Sequence, residues 1–225
     1  METIVLSLGG SLIVPENVDT EFLKNFREVI IEQVKAGKKF VIITGGGKPA
    51  RQYQTAAGEI KNITADELDW LGIYATRLNA EFVRLLFEDL AEPDIILDPN
   101  LPVKMEKSII VGGGWQPGFS TDYDAVVLAK QLGAKKIINL SNIDYAYDKD
   151  PKQYSDAKKI EKISWAEYRT LIPREWNPGL STPFDPVASQ LAEGYGIEVA
   201  ILNGKKIANL LKCLKGEEFA GTIIS

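Results

Sequence analysis

Residues 4–11 read Ile-Val-Leu-Ser-Leu-Gly-Gly-Ser, an apolar, β-branched run that ends in a pair of glycines. The pattern returns at residues 40–47, Phe-Val-Ile-Ile-Thr-Gly-Gly-Gly, and at residues 109–114, Ile-Ile-Val-Gly-Gly-Gly. A run of about five such residues is typical of a buried parallel strand, and the glycines let the backbone turn sharply and leave N–H groups open to an anion. Because parallel strand ends meet at one edge of an open sheet, the three turns predict a site for a polyphosphate or two phosphorylated molecules.

A plain strand-to-helix turn is the alternative for any one of these glycine clusters. The chain contains no GxxxxGK[ST] motif, and the glycines at 45–47 lack the GxGxxG spacing of a dinucleotide turn. Three turns of one kind in one chain nevertheless favour phosphate binding, and phosphoryl transfer is the leading interpretation.

The composition limits the class of protein. A chain of 225 residues with 45% hydrophobic and 25% charged residues is typical of one globular domain. The net charge of −5 argues against nucleic-acid binding. The chain has no histidine and a single cysteine, Cys213, which we expect to lie inert in the core. Any metal should therefore be a hard cation held by oxygens, such as Mg²⁺.

The first apolar run is broken by Gly9 and Gly10, so we expect a strand there rather than a signal peptide. The chain has no run of 18 apolar residues, which predicts a cytoplasmic protein that does not contact a membrane.

Strand, glycine turn and helix alternate along the chain, which predicts an α/β fold: a three-layer αβα sandwich with a mostly parallel central sheet. Residues 141–162 interrupt the alternation and predict a hairpin or ordered loop, and residues 173–186 form a second irregular segment, either a ligand wall or a solvated loop. The predicted helices are 20–35, 49–57, 64–90, 122–132, 184–194 and 205–215, and the later strands are 94–97, 136–140, 197–202 and 220–224.

Charged and hydroxyl residues follow the glycine turns. Lys48 and Arg51 stand in the first turn after the second glycine cluster, where a guanidinium can grip a phosphate with two hydrogen bonds. Ser120-Thr121-Asp122 begins a helix soon after the third cluster, where hydroxyls suit a phosphate and Asp122 suits an organiser of cations. A simple helix N-cap is the alternative for this segment.

With these motifs the sequence resembles the amino acid kinase family, and within it the archaeal-type uridylate (UMP) kinases, over essentially its whole length. The motifs stand in the family's order: Gly9-Gly10-Ser11, Gly-Gly-Gly-Lys-x-Ala-Arg at 45–51, Asp69-Trp70-Leu71-Gly72, Thr76-Arg77-Leu78-Asn79-Ala80, Pro117-Gly118 before Thr121-Asp122, Asn142-x-Asp144 with Tyr147 and Asp150-Pro151, and Phe184-Asp185-Pro186. The resemblance implies one amino acid kinase domain over 1–225, with an acceptor part at about 1–135 and a donor part at about 136–225.

The resemblance also implies ATP-dependent phosphorylation of UMP to UDP by direct in-line transfer with Mg²⁺, and a homohexamer in which the long helix near 66–90 is one candidate contact. The catalytic residues would be Lys48, Asp122 and Gly10. UMP would contact Gly46, Gly47, Arg51, Asp69, Gly72 and Thr121. ATP would contact Gly9, Gly10, Ser11, Ser141, Asn142, Tyr147 and Asp150. The metal ligands are not implied.

The chain departs from the family pattern at two places. Many members have a lysine just before the first glycine turn, where this chain has Ser7, so that Lys48 and Mg²⁺ are the expected sources of the missing charge. The usual Asp-Gly-Val-Tyr of the donor loop is Asp-Tyr-Ala-Tyr at residues 144–147. A catalytically weak or inactive nucleotide- or oxyanion-binding or storage protein on the same fold is therefore the alternative.

Overall fold

The computed structural model of the protein describes residues 2–175 and 182–225. Nine strands lie in these ranges: β1 Thr3–Leu8, β2 Lys39–Thr44, β3 Ile109–Gly112, β4 Lys136–Ser141, β5 Ala146–Tyr147, β6 Lys159–Ile160, β7 Lys162–Ile163, β8 Glu198–Asn203 and β9 Thr222–Ile224. The helices there are α1 Gly10–Ile13, α2 Thr20–Lys35, α3 Gly47–Ile60, α4 Ala65–Leu86, α5 Thr121–Gln131, α6 Trp165–Leu171, α7 Pro186–Tyr195 and α8 Ile207–Lys215.

The central sheet has seven strands in the order β3-β2-β1-β4-β8-β9-β7. β1 pairs in parallel with β2 on one side and with β4 on the other, and only the β8–β9 contact is antiparallel. Along the chain, β2 and β3 are added on one side of β1, and β4 is then added on the other side. Such a reversal opens a crevice at the carboxyl ends of the strands, the usual place for a ligand in an open α/β sheet.

Alternate side chains of β1 enter two separate cores. Ile4, Leu6 and Leu8 pack with α2, α4 and α8 on one face of the sheet, whereas Val5 packs with α5 and α7 on the other. The sheet is therefore covered by helices on both faces. The predicted three-layer αβα architecture with a mostly parallel sheet is confirmed.

Most boundaries differ from the predictions by no more than three residues, α6 was not predicted, and two elements depart further. Residues 94–97 form no strand; Ala91 and Ile96 make only isolated bridges to β3. The Glu92 N–H donates to the Ile109 carbonyl at 2.8 Å and the Ile96 N–H donates to the Val111 carbonyl at 2.9 Å, so that four residue steps of this segment run beside two of β3 and the ladder is interrupted. The helix predicted to reach residue 90 ends at Leu86, and a turn closed by Leu90 N–H on the Phe87 carbonyl at 2.7 Å follows it.

Residues 141–162, which interrupt the alternation of strands and helices, contain the predicted hairpin, because β5 and β6 pair in antiparallel fashion. Of the second irregular segment, residues 176–181 lie outside the described residues. In the described ranges no helix is both long and apolar enough to span a bilayer.

Candidate active site

The first and second glycine turns touch each other at the carboxyl edge of the sheet. A Cβ atom on Gly10 would lie 2.2 Å from the backbone nitrogen of Gly47 and 2.4 Å from the carbonyl oxygen of Gly45. Gly47 has a φ of +68°, a conformation that other residues rarely adopt. The Asn79 side chain donates a hydrogen bond to the Gly45 carbonyl at 2.7 Å. The two turns therefore pack backbone against backbone into one cradle, and a side chain at position 10 would collide with the second turn.

The helix that leaves this cradle begins without a capping side chain. Gly46 is the N-cap of the 14-residue helix α3 and can offer no side-chain acceptor to the first N–H groups. Gly9 precedes the one-turn helix α1 in the same way, and Ser11 follows inside that helix. Gly72 lies in α4, and its carbonyl oxygen would be 3.2 Å from a Cβ on Gly46. Open N–H groups at such helix starts favour an anion.

The third turn leads into a loop that α4 holds in place. The Gly114 N–H donates to the Thr76 hydroxyl at 2.6 Å, and the Gly118 N–H donates to Oδ2 of Asp69 at 3.0 Å. Burial raises the pKa of Asp69 above its usual value, although the Gly118 bond lowers it. Ser120 caps α5 by accepting the Tyr123 N–H at 3.3 Å, and Thr121 is the first helical residue. The N-cap interpretation therefore applies to Ser120.

Two carboxylates and a hydroxyl meet where β1, α5 and α7 converge. The Ser7 hydroxyl donates to Oδ1 of Asp122 at 3.0 Å, and the Asp185 N–H donates to Oδ2 of Asp122 at 3.2 Å. Burial, and next the charge of Asp185, raise the pKa of Asp122 to about 7, against the opposing effect of these two hydrogen bonds. Oδ2 of Asp185 has no hydrogen-bond partner among the described residues.

Sequence reasoning did not assign Asp185 to the site. Asp185 caps α7, with Oδ1 accepting the Ala188 N–H at 2.7 Å, and Pro186 occupies the first turn. An Asp-Pro pair before an apolar run predicts a helix start. The sequence signals for Asp185 were this helix start and its place in the Phe184-Asp185-Pro186 motif, and neither one predicts its proximity to Asp122, which comes from the fold.

The two basic side chains predicted to contact phosphate, Lys48 and Arg51, lie in different surroundings. The Lys48 ammonium forms an ion pair with the carboxylate of Glu16. Arg51 lies exposed on the second turn of α3. Both side chains leave from α3, the helix that starts at the cradle.

The residues predicted to hold the donor nucleoside start at the last residue of β4 and continue into the segment that follows it. Ser141 ends that strand and accepts the Ile143 N–H at 3.3 Å, while Asn142 is exposed. Tyr147 belongs to the β5–β6 hairpin. The Asp150 carboxylate accepts the Lys152 N–H at 2.9 Å and thereby stabilises a turn. The structure thus places Ser141 near the sheet edge and gives Asp150 a local structural contact.

The cradle, the uncapped helix start and the carboxylate pair together define an open α/β protein with an edge suited to phosphate groups. Residues 2–203 match the amino acid kinase family. The chain belongs to that family, and the resemblance inferred from its motifs is confirmed.

Relatives cover the full chain. It is 35% identical over 229 residues to a uridylate kinase of Methanobrevibacter smithii, with 99% of both chains covered, and 32% identical over 226 residues to a uridylate kinase of Sulfolobus acidocaldarius, with 98% of both covered. The crystal structure of the uridylate kinase from Archaeoglobus fulgidus superposes with a TM-score of 0.83 at 31% identity over the whole of both chains. A UMP kinase structure from Bacillus anthracis, at 18% identity and a TM-score of 0.75, shares the fold.

Proposed function

We propose that the protein transfers the γ-phosphoryl group of ATP to UMP, releasing ADP and UDP. An oxygen of the UMP phosphate forms the new bond to the γ-phosphorus, and the bond to the β–γ bridging oxygen breaks. The contact of Gly10 with Gly45 and Gly47 carries the proposal, because it joins two phosphate-binding turns into one cradle. The full-length similarity to uridylate kinases supports UMP as the acceptor.

The acceptor phosphate is already an anion, so the reaction needs no general base. Catalysis then consists of alignment and charge neutralisation. Residues 1–135 would hold the acceptor, with Arg51 on its phosphate, Asp69 on its ribose hydroxyls, and Gly46, Gly47, Gly72 and Thr121 along its length. Residues 136–225 would hold the donor nucleoside through Ser141, Asn142, Tyr147 and Asp150, while Gly9, Gly10 and Ser11 line its phosphates.

The oxygens around Asp122 fit a hard cation such as Mg²⁺. Asp122 and Asp185 supply carboxylates, Ser7 supplies a hydroxyl, and one oxygen of Asp185 is left without a partner in the described part of the chain. The described residues contain no cluster of three or more acidic, histidine or cysteine ligands, and Asp122, Asp185 and Ser7 are the residues that would hold the ion. When bound there, Mg²⁺ would neutralise charge on the transferred phosphoryl group. Lys48 would fill the same role if its ammonium left the ion pair with Glu16 and contacted the phosphate instead.

An apolar groove between α3 and α4 supports self-association. Tyr53, Tyr74 and Leu78 line it, and their side chains are 66%, 61% and 70% exposed. Exposed apolar surface of this kind is typical of an interface. We propose that a second copy covers it, with the hexamer expected by resemblance built from such dimers. Light scattering after gel filtration should show an oligomer that Leu78→Asp converts to a smaller species; an unchanged mass would place the contact elsewhere.

A coupled assay for ADP release, run with UMP, CMP, AMP and GMP, tests the function. We expect rapid turnover with UMP and much slower turnover with the purine nucleotides. A protein that binds UMP and Mg·ATP but releases no ADP would instead be the nucleotide-binding or storage protein of the alternative interpretation. The reaction belongs to the cytoplasm, where both nucleotides are found.

A further inference from the structure

The loop that follows the third glycine turn, residues 113–120, is hydrogen-bonded by side chains of two helices, α4 and α5. From α4, the Arg77 guanidinium donates to the carbonyl of Gly114 at 3.1 Å and to the carbonyl of Trp115 at 2.7 Å. From α5, Oδ2 of Asp124 accepts the Trp115 N–H at 3.2 Å. Side chains thus hold backbone atoms that lie outside every strand and helix.

Arg77 is itself fixed in position. Its guanidinium carbon lies 5.6 Å from the ring centre of Trp70 and 5.9 Å from that of Tyr74, two aromatic residues on the same helix. A Cβ atom on Gly113 would lie 3.0 Å from the backbone of Arg77, so the loop packs directly on α4. A planar guanidinium held between rings and two carbonyls has little freedom to move.

Asp124 occupies a position where a carboxyl group is unfavourable. Its side chain is 1% exposed, and Oδ1 has no hydrogen-bond partner among the described residues. Burying such a group destabilises the fold relative to an apolar residue unless its bonds compensate. The single bond to Trp115 does not satisfy both oxygens, which indicates that the contribution of Asp124 is positional rather than stabilising.

We propose that Arg77 and Asp124 are positioning residues that preorganise residues 113–120 for the acceptor nucleotide. The inference rests on the proposed function, in which this part of the chain holds UMP. The same loop donates the Gly118 N–H to Asp69 and runs directly into Thr121, both assigned to the acceptor. Neither Arg77 nor Asp124 touches a reacting atom in this scheme.

The energetic consequence is specific to one substrate. A loop already in its binding conformation spares the acceptor the free energy of ordering it. Loosening the loop should therefore raise the KM for UMP and leave the KM for ATP unchanged, because the donor side is built from other elements. A general loss of stability would not separate the two substrates.

The test compares Arg77→Met with Arg84→Met, a matched control two turns along α4 whose arginine pairs with Glu81. Arg77→Met should raise the UMP KM and the UMP dissociation constant from calorimetry by about tenfold, the loss expected for charge-assisted hydrogen bonds. The ATP KM should stay within about twofold. Arg77→Lys keeps the charge and one donor group, so its UMP KM and dissociation constant should lie between those of the parent and of Arg77→Met. This variant replaces Arg77→Met in the comparison if Arg77→Met does not fold.

Asp124 is tested with a conservative and a disruptive variant. Asp124→Leu should reproduce the UMP effect of Arg77→Met, whereas Asp124→Asn keeps an acceptor oxygen for Trp115 and should restore near-parental affinity. Equal changes in both KM values, or a lower melting temperature with an unchanged UMP affinity, would overturn the proposal. A parent that binds UMP without releasing ADP would overturn the kinase function alone, since calorimetry would still report on the loop.

Discussion

The Ser7 hydroxyl donates a hydrogen bond to Oδ1 of Asp122 across 3.0 Å, joining the end of β1 to the first turn of α5. Ser7 stands where the family pattern has a lysine, so Asp122 has a neutral partner there and a second carboxylate, Asp185, close by. Burial and that second charge raise the pKa of Asp122 to about 7. The arrangement places two acidic groups beside Ser7, and the positive charge that transfer requires must come from a bound cation or from another side chain.

Asp122→Asn should lower kcat by at least about a hundredfold, with little change in either KM, because a group that organises cations acts mainly in the transition state. Steady-state kinetics of ADP release measures this effect. Asp156→Asn, a substitution at an exposed ion pair with Lys149, is the control for the charge change itself. Near-normal turnover would reduce Asp122 to a structural residue of α5.

Lys48→Met should remove most of the activity while the circular dichroism spectrum and melting temperature stay close to those of the parent. The physical reason is charge spreading over the equatorial oxygens of the transferred phosphoryl group, which a nearby ammonium stabilises. Glu16→Gln removes the ion-pair partner seen here and should leave turnover intact. If the Lys48→Met variant phosphorylates UMP at the parental rate, Lys48 does not replace the family lysine that is missing at position 7. The positive charge would then come from Mg²⁺ held by Asp122 and Asp185 alone.

Arg51→Ala should raise the KM for UMP by about tenfold or more and change the KM for ATP much less, because the guanidinium is placed on the acceptor phosphate. Both constants follow from the same assay. Lys61→Ala, at the other end of α3, removes a positive charge far from the cradle and should be silent. Equal effects of Arg51→Ala on both substrates would show that Arg51 does not hold the acceptor.

Asp69→Asn should weaken the binding of UMP, because the ribose contact is lost and because the hydrogen bond from the Gly118 N–H becomes weaker. Asp66→Asn, at an exposed position in the first turn of the same helix, is the matched control. Calorimetric titration with UMP and with ATP, each alone, separates the two sites. An effect confined to ATP would mean that the donor and acceptor ends are assigned the wrong way round.

Cys213 should be unreactive towards a disulfide reagent such as DTNB at pH 8 in the folded protein. Its side chain is 4% exposed, and burial raises the pKa of the thiol to about 11, so the thiolate that reacts is scarce. The absorbance of the released thiolate should appear only after denaturation, and the single cysteine makes the signal unambiguous. Rapid labelling of the native protein would show that α8 opens readily.

The elements with strong local patterns were predictable. The β-branched runs became β1, β2 and β3, and the Thr64 and Glu67 capping box starts α4 as predicted. Residues 94–97 were not predictable from their apolar character, because whether a short apolar run joins a sheet depends on which N–H groups the neighbouring strand can use. A hydrophobic pattern reports burial and says little about pairing.

The sequence by itself determined strands such as β1, β2 and β3, helices such as α2 and α4, the glycine turns and the family, since apolar periodicity, helix caps and glycines act over a few residues. Only the tertiary structure decided which of these features meet. Ser7 and Asp122 are 115 residues apart, and Asp122 and Asp185 are 63 apart. Their contact follows from β4 pairing beside β1 and from α5 and α7 packing on the same face of the sheet. That strand order is set by the packing of the whole core and is written in no local stretch of the chain.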